Sequence, residues 1–264
     1  MFALADYLIH IEGEPLPRDV DAQQVLAMLS ADARCRAPVT GAVYGTLLND
    51  RAALLALGEA MHAAPYKSPP KAPVLYLKPR NTLAGHRARV EIPSDTTGVE
   101  AGIEVGASLG IVIGRTADHV SIGHAFDYVA GYTIVADISV PHASVYRPSV
   151  RFRARDKFCV IGPTVVARHH VADPDNLTIN VNIPGRPAFV ASTASAVRSV
   201  AKLITDVTEF MTLSAGDVLT LGVPHGSPVA RAGDEATLSI GSWAPLCVSF
   251  ISSVGNDTRD GEQP

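Results

Sequence analysis

The sequence predicts a mainly β protein of the α+β class with a small α/β part at its amino terminus, and three observations carry that prediction. Short Val/Ile-rich runs at 103–114, 131–139, 159–168, 177–183, 217–221 and 235–251 are separated by Gly, Pro and Asp turns. Helical periodicity interrupts this pattern only twice beyond residue 73. At 264 residues and 47% hydrophobic, the chain can bury one large core, or a small domain beside a larger one.

Residues 1–40 read as an appendage: a short strand, a proline-containing break at EPLPRD, then a helix in DVDAQQVLAMLSADA. Asp19 or Asp21 caps that helix, and Val25, Leu26, Met28 and Leu29 recur at near-helical spacing. GAVYGTLLN reads as a strand. DRAALLALGEAMHAA reads as a helix capped by Asp50, with Leu54, Leu55, Leu57 and Met61 facing inward. Strand and helix together make the small α/β part, assigned to residues 1–72. The proline-rich APYKSPPKAP leads into the β body, residues 73–252, which opens with a strand VLYLK and a loop PRNTLAGH. Two helices interrupt the body: SIGHAFDYVAG, from Ser121 as cap to a stop at Gly131, and STASAVRSVAKLITDVTEFMTL, where Val197, Val200, Ile204 and Val207 recur every three or four residues. Residues 253–264 are polar and expected to fray.

A net charge of −4 without any long charge block does not mark a nucleic-acid binder or a membrane-surface protein. No run approaches the roughly 20 apolar residues of a membrane span. Cys35, Cys159 and Cys247 are far apart and form no C-x-x-C, which fits neither a disulfide framework nor a zinc site and suits a reducing cytoplasm. The first residues carry Asp6, Glu12 and Glu14 and lack the basic start and long apolar stretch of a signal peptide. Small molecules or protein subunits are the expected partners.

GYTIVADISV, residues 131–140, sets Asp137 inside a run that reads as a strand buried on both faces. An unpaired carboxylate there would cost several kcal/mol or stay protonated, so a base, hydrogen-bond donors or a metal must accompany it. Two basic stretches are near in kind. YRPSVRFRARDK, if extended, lines Arg147, Arg151, Arg153, Arg155 and Lys157 along one face, either as a comb for a substrate with several carboxylates or as a charged, solvated edge strand. LKPRNTLAGH sets Lys78 and Arg80 on a loop leaving a strand, as binding groups or as part of an ordinary turn. The nine histidines form no H-E-x-x-H, GVPHG lacks the Lys and Ser/Thr of a P-loop, GIVIGRTADHV is no dinucleotide fingerprint, and no G-x-S-x-G is present.

Taken in order, YKSPPKAPVLYLKPRNTLAG, GIVIGR, DYVAGYTIVADIS, YRP, RDKFCVIGP, DPDNLTINVNI, LSAGDVLTLGVPHG and GDEATLSIG resemble the fumarylacetoacetate hydrolase family over about residues 41–252. The resemblance implies a roll of mixed β-sheets. Within the family, PYKSPPKAPVLYLKPRNT and YRPSVRFRARDKFC look most like the amino-terminal half of the bifunctional isomerase/decarboxylase of 4-hydroxyphenylacetate degradation. The resemblance also implies that Asp137 is one of three carboxylates around Mg²⁺ or a similar hard cation, beside two Glu in an E-x-E pattern before the GIVIGR strand. Counting back from Gly114, those positions fall on Gly106 and Ser108, and neither replaces a carboxylate. Glu104, two residues upstream on the same strand face, supplies a ligand only if the register shifts; Glu100 lies further off. The family's motif lysine falls on Arg153, its lid histidine near Ala53, and the Thr of its GTP motif on Val223. Together these departures point to a lost metal site, with Asp137 held by donors and an arginine partner instead of a divalent cation.

Three functional readings follow from the resemblance. In the first, the chain is a subunit of the 2-hydroxyhepta-2,4-diene-1,7-dioate isomerase/5-oxopent-3-ene-1,2,5-tricarboxylate decarboxylase. Asp137 and Arg153 are then the catalytic candidates, and Lys78, Arg80, Arg147, Arg155 and Lys157 grip a polycarboxylate substrate. In the second, it is a catalytically weak scaffold, a homo-oligomer or a hetero-oligomer with the paralogous carboxyl-terminal-type subunit. In the third, it is an acylpyruvate-type C–C hydrolase, which needs both the metal and the lid histidine.

Overall fold

The computed structural model describes residues 36–94, 102–142 and 150–253. The helix expected near residue 25, Cys35, Glu100, Arg147 and residues 254–264 of the polar tail lie outside the described residues.

The centre of the fold is an antiparallel pair, β5 (Ile103–Ile113) and β6 (Val129–Ser139), in which every residue except Glu104 and Ala130 is buried. Runs of β-branched and small side chains suit that position because both faces are covered. β6 continues to β7 (Cys159–Ala167) and then to the short β3 (Leu83–Gly85). On the other side β5 pairs with β10 (Val218–Thr220), which pairs in parallel with β1 (Val43–Leu47), and β1 pairs with β2 (Val74–Lys78). The strand of the expected small α/β part is thus hydrogen-bonded into the main sheet. The order β2-β1-β10-β5-β6-β7-β3, with β11 (Val229–Ala230) on β5, is mixed.

The sheet is strongly curled. Four strand spacings separate β2 from β6, about 19 Å in a flat sheet, yet Lys78 on β2 stands 2.6 Å from Asp137 on β6. Gly45 makes part of this bend possible: any Cβ there would collide with the Tyr76 ring lying across β1. A second sheet runs β4 (Ala88–Ile92), β13 (Leu246–Ser252), β12 (Glu235–Ile240), β8 (Thr178–Asn182) and β9 (Phe189–Ser192). Its Val90, Phe250, Leu238 and Val181 share one core with Leu109 and Ile138 of the first sheet. The mixed β-roll expected from the sequence is the architecture observed.

The helices are shorter than the periodicity predicts. α1 (Arg51–Leu57) has Asp50 as its cap, accepting from the Ala53 N–H at 3.0 Å, but Leu55 is 81% exposed rather than facing inward. The Ile122–Tyr128 segment is a 3₁₀ helix, and Gly131 does not stop it but lies within β6. A side chain at Gly131 would strike the Val166 carbonyl of β7, so this glycine serves strand contact. The long helix expected from residue 192 begins only at Val200: α3 (Val200–Thr208) buries Val200, Leu203, Ile204 and Val207, while Val197 is exposed. Two serine hydroxyls cap separate turns, Ser192 accepting from Ala194 N–H and Ser199 from Lys202 N–H, which breaks the run into pieces.

Candidate functional site

The basic stretch at 150–157 is not extended. Val150–Arg153 form one helical turn, α2, and the chain then loops back with the Lys157 N–H bonded to the Asn81 carbonyl at 3.0 Å. The comb of charges along one face is therefore absent among the described residues. Arg151 is exposed, Arg155 bonds through Nε to the Arg151 carbonyl at 3.0 Å, and Lys157 reaches the Arg89 carbonyl at 3.3 Å. Arg153 turns inward, over the Tyr76 ring at 5.0 Å and to 3.6 Å from Asp137.

Asp137 lies at the centre of this fold-over. Its side chain is fully buried, and Lys78 stands 2.6 Å from Oδ1 with only 1% of its own side chain exposed. The Tyr76 hydroxyl donates to Oδ2. Lys78 also donates toward the carbonyls of Phe158 at 2.9 Å and of Ile138 and Arg153 at 3.2 Å. Those three carbonyls match the three hydrogens of the ammonium, while Asp137 Oδ1 is held by charge without an aligned hydrogen bond, so none is left to grip a substrate. The sequence-based role for Lys78 is corrected accordingly. Arg80 is exposed on a different corner, together with Lys157.

Burial alone would push the Asp137 carboxyl up, but the charges of Lys78 and Arg153 and the bonds from Lys78 and Tyr76 outweigh it and hold the group below its ordinary range. Burial first, and then the Asp137 charge, push the Tyr76 phenol well above its ordinary value. Burial disfavours the Arg153 charge, yet Tyr76, Asp137 and Glu104 raise its basicity. Asp137 is an anion held by two cations and a phenol. The opening expectation of an arginine partner is half the picture; the nearer cation is a lysine. Tyr76 was missed, although its place two residues before Lys78 put both donors on one strand face.

The neighbouring positions do not fit a three-carboxylate metal centre. Gly106 lies directly opposite Asp137, and a Cβ on it would come within 2.7 Å of Val223 Cγ1 and 2.8 Å of the Asp137 carbonyl. Ser108 is fully buried, its hydroxyl accepting from the Gly222 N–H at 3.1 Å. Glu104, across from Ser139, accepts from the Ser139 hydroxyl at 3.1 Å. No group of three or more His, Cys, Asp or Glu among the described residues is arranged to hold a metal ion. No helix among them is long and apolar enough to cross a membrane.

A curled mixed sheet closed over a buried aspartate, backed by a second sheet, defines a mixed β-roll. The chain belongs to the fumarylacetoacetate hydrolase family: the model of the fumarylacetoacetate (FAA) hydrolase C-terminal domain matches residues 42–251. It is 37% identical over 206 residues to a 4-hydroxyphenylacetate degradation bifunctional isomerase/decarboxylase of Escherichia coli, a match covering 78% of this chain and 46% of that one. The chain thus spans about half the length of such relatives. Among solved structures, 2-hydroxyhepta-2,4-diene-1,7-dioate isomerase from Mycobacterium marinum is similar at a TM-score of 0.69 and 26% identity, over 85% of this chain and 80% of that one. Fumarylpyruvate hydrolase from Pseudomonas aeruginosa, in complex with Mn²⁺ and pyruvate, shares the fold at a TM-score of 0.69 and 20% identity, over 85% and 94% of the two chains.

Proposed function

We propose that this chain is the amino-terminal-type half of an isomerase/decarboxylase acting on unsaturated oxo-di- and tricarboxylates of 4-hydroxyphenylacetate catabolism, and that it serves as the metal-free companion of a paralogous, metal-bearing half. One observation carries the reading: the Lys78 ammonium stands 2.6 Å from Asp137 and supplies the positive charge that a cation would otherwise provide. The match to half of a bifunctional enzyme supports the division of labour. The work of this half is then to complete the fold and the substrate entrance of its companion in a reducing cytoplasm. Chelation of a 2-oxo acid, the electron sink that decarboxylation of such a substrate needs, falls to the companion.

The acylpyruvate hydrolase reading is disfavoured because the lid histidine's position near Ala53 offers no histidine on α1, whose one ionisable side chain is Arg51. A proton shuttle at Asp137 is disfavoured because neither Asp137 nor Lys78 reaches solvent. The test is to assay isomerisation and decarboxylation with the chain alone, the paralogous half alone, and the two co-expressed, each with Mg²⁺ and with a chelator. Full activity is expected only from the pair, and only with Mg²⁺. Decarboxylation by this chain alone that needs Mg²⁺ would overturn the reading.

A further inference from the structure

At the start of β6, away from Asp137, a cavity of about 340 Å³ lies between the Ile122–Tyr128 turn and the 3₁₀ turn Arg168–His170 that follows β7. Phe126, Val171 and Pro174 give it apolar walls, and Tyr132, Arg168 and His169 give it polar groups. Tyr132 shares the core side of β6 with Ile134, Ala136 and Ile138. Side chains alternate along a strand, so Tyr132 points to the face opposite Asp137, roughly 16 Å along the strand from it.

Tyr132 keeps only 1% of its surface exposed, yet its hydroxyl has no hydrogen-bond partner among the described residues. The one side-chain oxygen or nitrogen among them that is sealed from solvent without a partner is Asp137 Oδ1. The Tyr132 oxygen is therefore not sealed, and its access is the cavity that the residue lines. Burial pushes the phenol up, against the charge of Arg168 and with that of Asp175, so the hydroxyl keeps its proton and is a donor. An unpartnered hydroxyl at a buried position contributes nothing to stability, and phenylalanine would fill the same volume without taking an oxygen out of water.

Arg168 adds a charge beside this donor. Its Cζ stands 5.6 Å from the centre of the Phe126 ring, a cation–π contact that holds the guanidinium against the apolar wall. Asp127 does not neutralise it: that carboxylate is bonded to the His124 ring at 3.0 Å, which is the chief cause of its lowered pKa. Asp175, the carboxylate felt by Tyr132, lies outside the lining and accepts from the Val200 N–H at 2.7 Å. A buried O–H donor and a cation beside an aromatic wall are the complement of a carboxylate on an apolar body.

We propose that this cavity binds a small carboxylate with an apolar ring or branched body, its oxygens shared between the Tyr132 hydroxyl and Arg168, at a site separate from Asp137. The inference does not rest on the function proposed above, because it concerns binding by the chain alone. The test is isothermal titration of the full chain with benzoate, with benzamide as a control lacking the charge and acetate as a control lacking the body. Saturable one-site binding of benzoate is expected, with each control weaker by about tenfold or more. Tyr132→Phe should weaken benzoate by about tenfold while its urea midpoint stays at or above that of the parent, since no bond within the chain is lost. Arg168→Gln, a change at an exposed residue, should weaken benzoate by a similar factor at an unchanged midpoint. Absence of saturable benzoate binding, equal binding of either control, or benzoate binding unchanged in either variant would overturn the proposal. So would a lower midpoint or failure to fold in Tyr132→Phe, which would show that the hydroxyl serves the fold and not a ligand.

Discussion

Positive charge collects in two places, and they obey opposite rules. Around Asp137, two cations, one carboxylate and one phenol are packed with the Lys78 and Arg153 side chains 1% and 13% exposed. At the β3–β4 corner, five cations line a cleft with no described acid among them. Here each charge has an opposite charge beside it, Lys78 on Asp137 and Arg153 between Asp137 and Glu104, because an isolated one would be expelled or neutralised. At the surface water tolerates the imbalance, so an excess of one sign persists there. One stretch of sequence, residues 150–157, feeds both places: Arg153 goes inward and Lys157 outward.

The largest expected effect comes from breaking the interior balance. Lys78→Met leaves Asp137 with a more distant arginine and leaves three carbonyls short of a donor, and should destabilise the chain by about 3–5 kcal/mol in urea denaturation. Adding Asp137→Leu to that variant should recover most of the loss, since removing both charges removes the reason for pairing. Strictly additive losses would show that the pair is not coupled. Arg89→Gln in the cleft should stay within about 0.5 kcal/mol of the parent, which sets the scale of the contrast.

A middle-sized effect tests whether the ligand positions can be restored. Gly106→Glu drives a side chain against Val223 Cγ1 and the Asp137 carbonyl, and should cost about 1–3 kcal/mol through overpacking. Gly106→Glu/Ser108→Glu should show no Mg²⁺-dependent rise in melting temperature, because Lys78 already occupies the charge position beside Asp137. A clear rise with Mg²⁺ would mean that the lysine yields to a cation, and the interior would then resemble the metal-bearing relatives.

Much of this was legible in the sequence. The strands were, because runs such as GIVIG and GYTIVADIS admit little else, and so was the isolation of Asp137 within one of them. That positions 106 and 108 carry glycine and serine rather than carboxylates could be counted from Gly114. The identity of the partner could not. Lys78 lies 59 residues before Asp137 in sequence, and only the curl of the sheet across the β2–β6 distance brings them together. The basic stretch was misread for a related reason. Its alternation of charged and apolar residues fits a strand, but Arg153 gains more by turning onto Tyr76 and Asp137 than the segment gains from pairing as an edge. Arg80 and Lys157 were visible as basic residues, whereas HRAR at 86–89 matches no motif that would mark it.

The smallest expected effect separates the two regions by pH. The Asp137 carboxyl is held below its ordinary value of 3.8 in the folded chain. Its contribution to stability is therefore complete above that value and is lost only as pH falls through the lower, folded one. His86 works at milder pH: burial, and then Arg87, lower it from 6.5 to about 4. The unfolded chain takes up that proton first as pH falls, so stability declines between pH 6.5 and about 4. His86→Gln should flatten the decline in that window and leave the steeper loss below pH 3.8 in place. Asp137→Asn should do the reverse, lowering stability at neutral pH while leaving the slope between pH 6.5 and 4 unchanged. Urea midpoints measured at half-unit steps from pH 7 to pH 3 would read both. An unchanged slope in His86→Gln would show that the imidazole is not kept neutral by its burial and by Arg87.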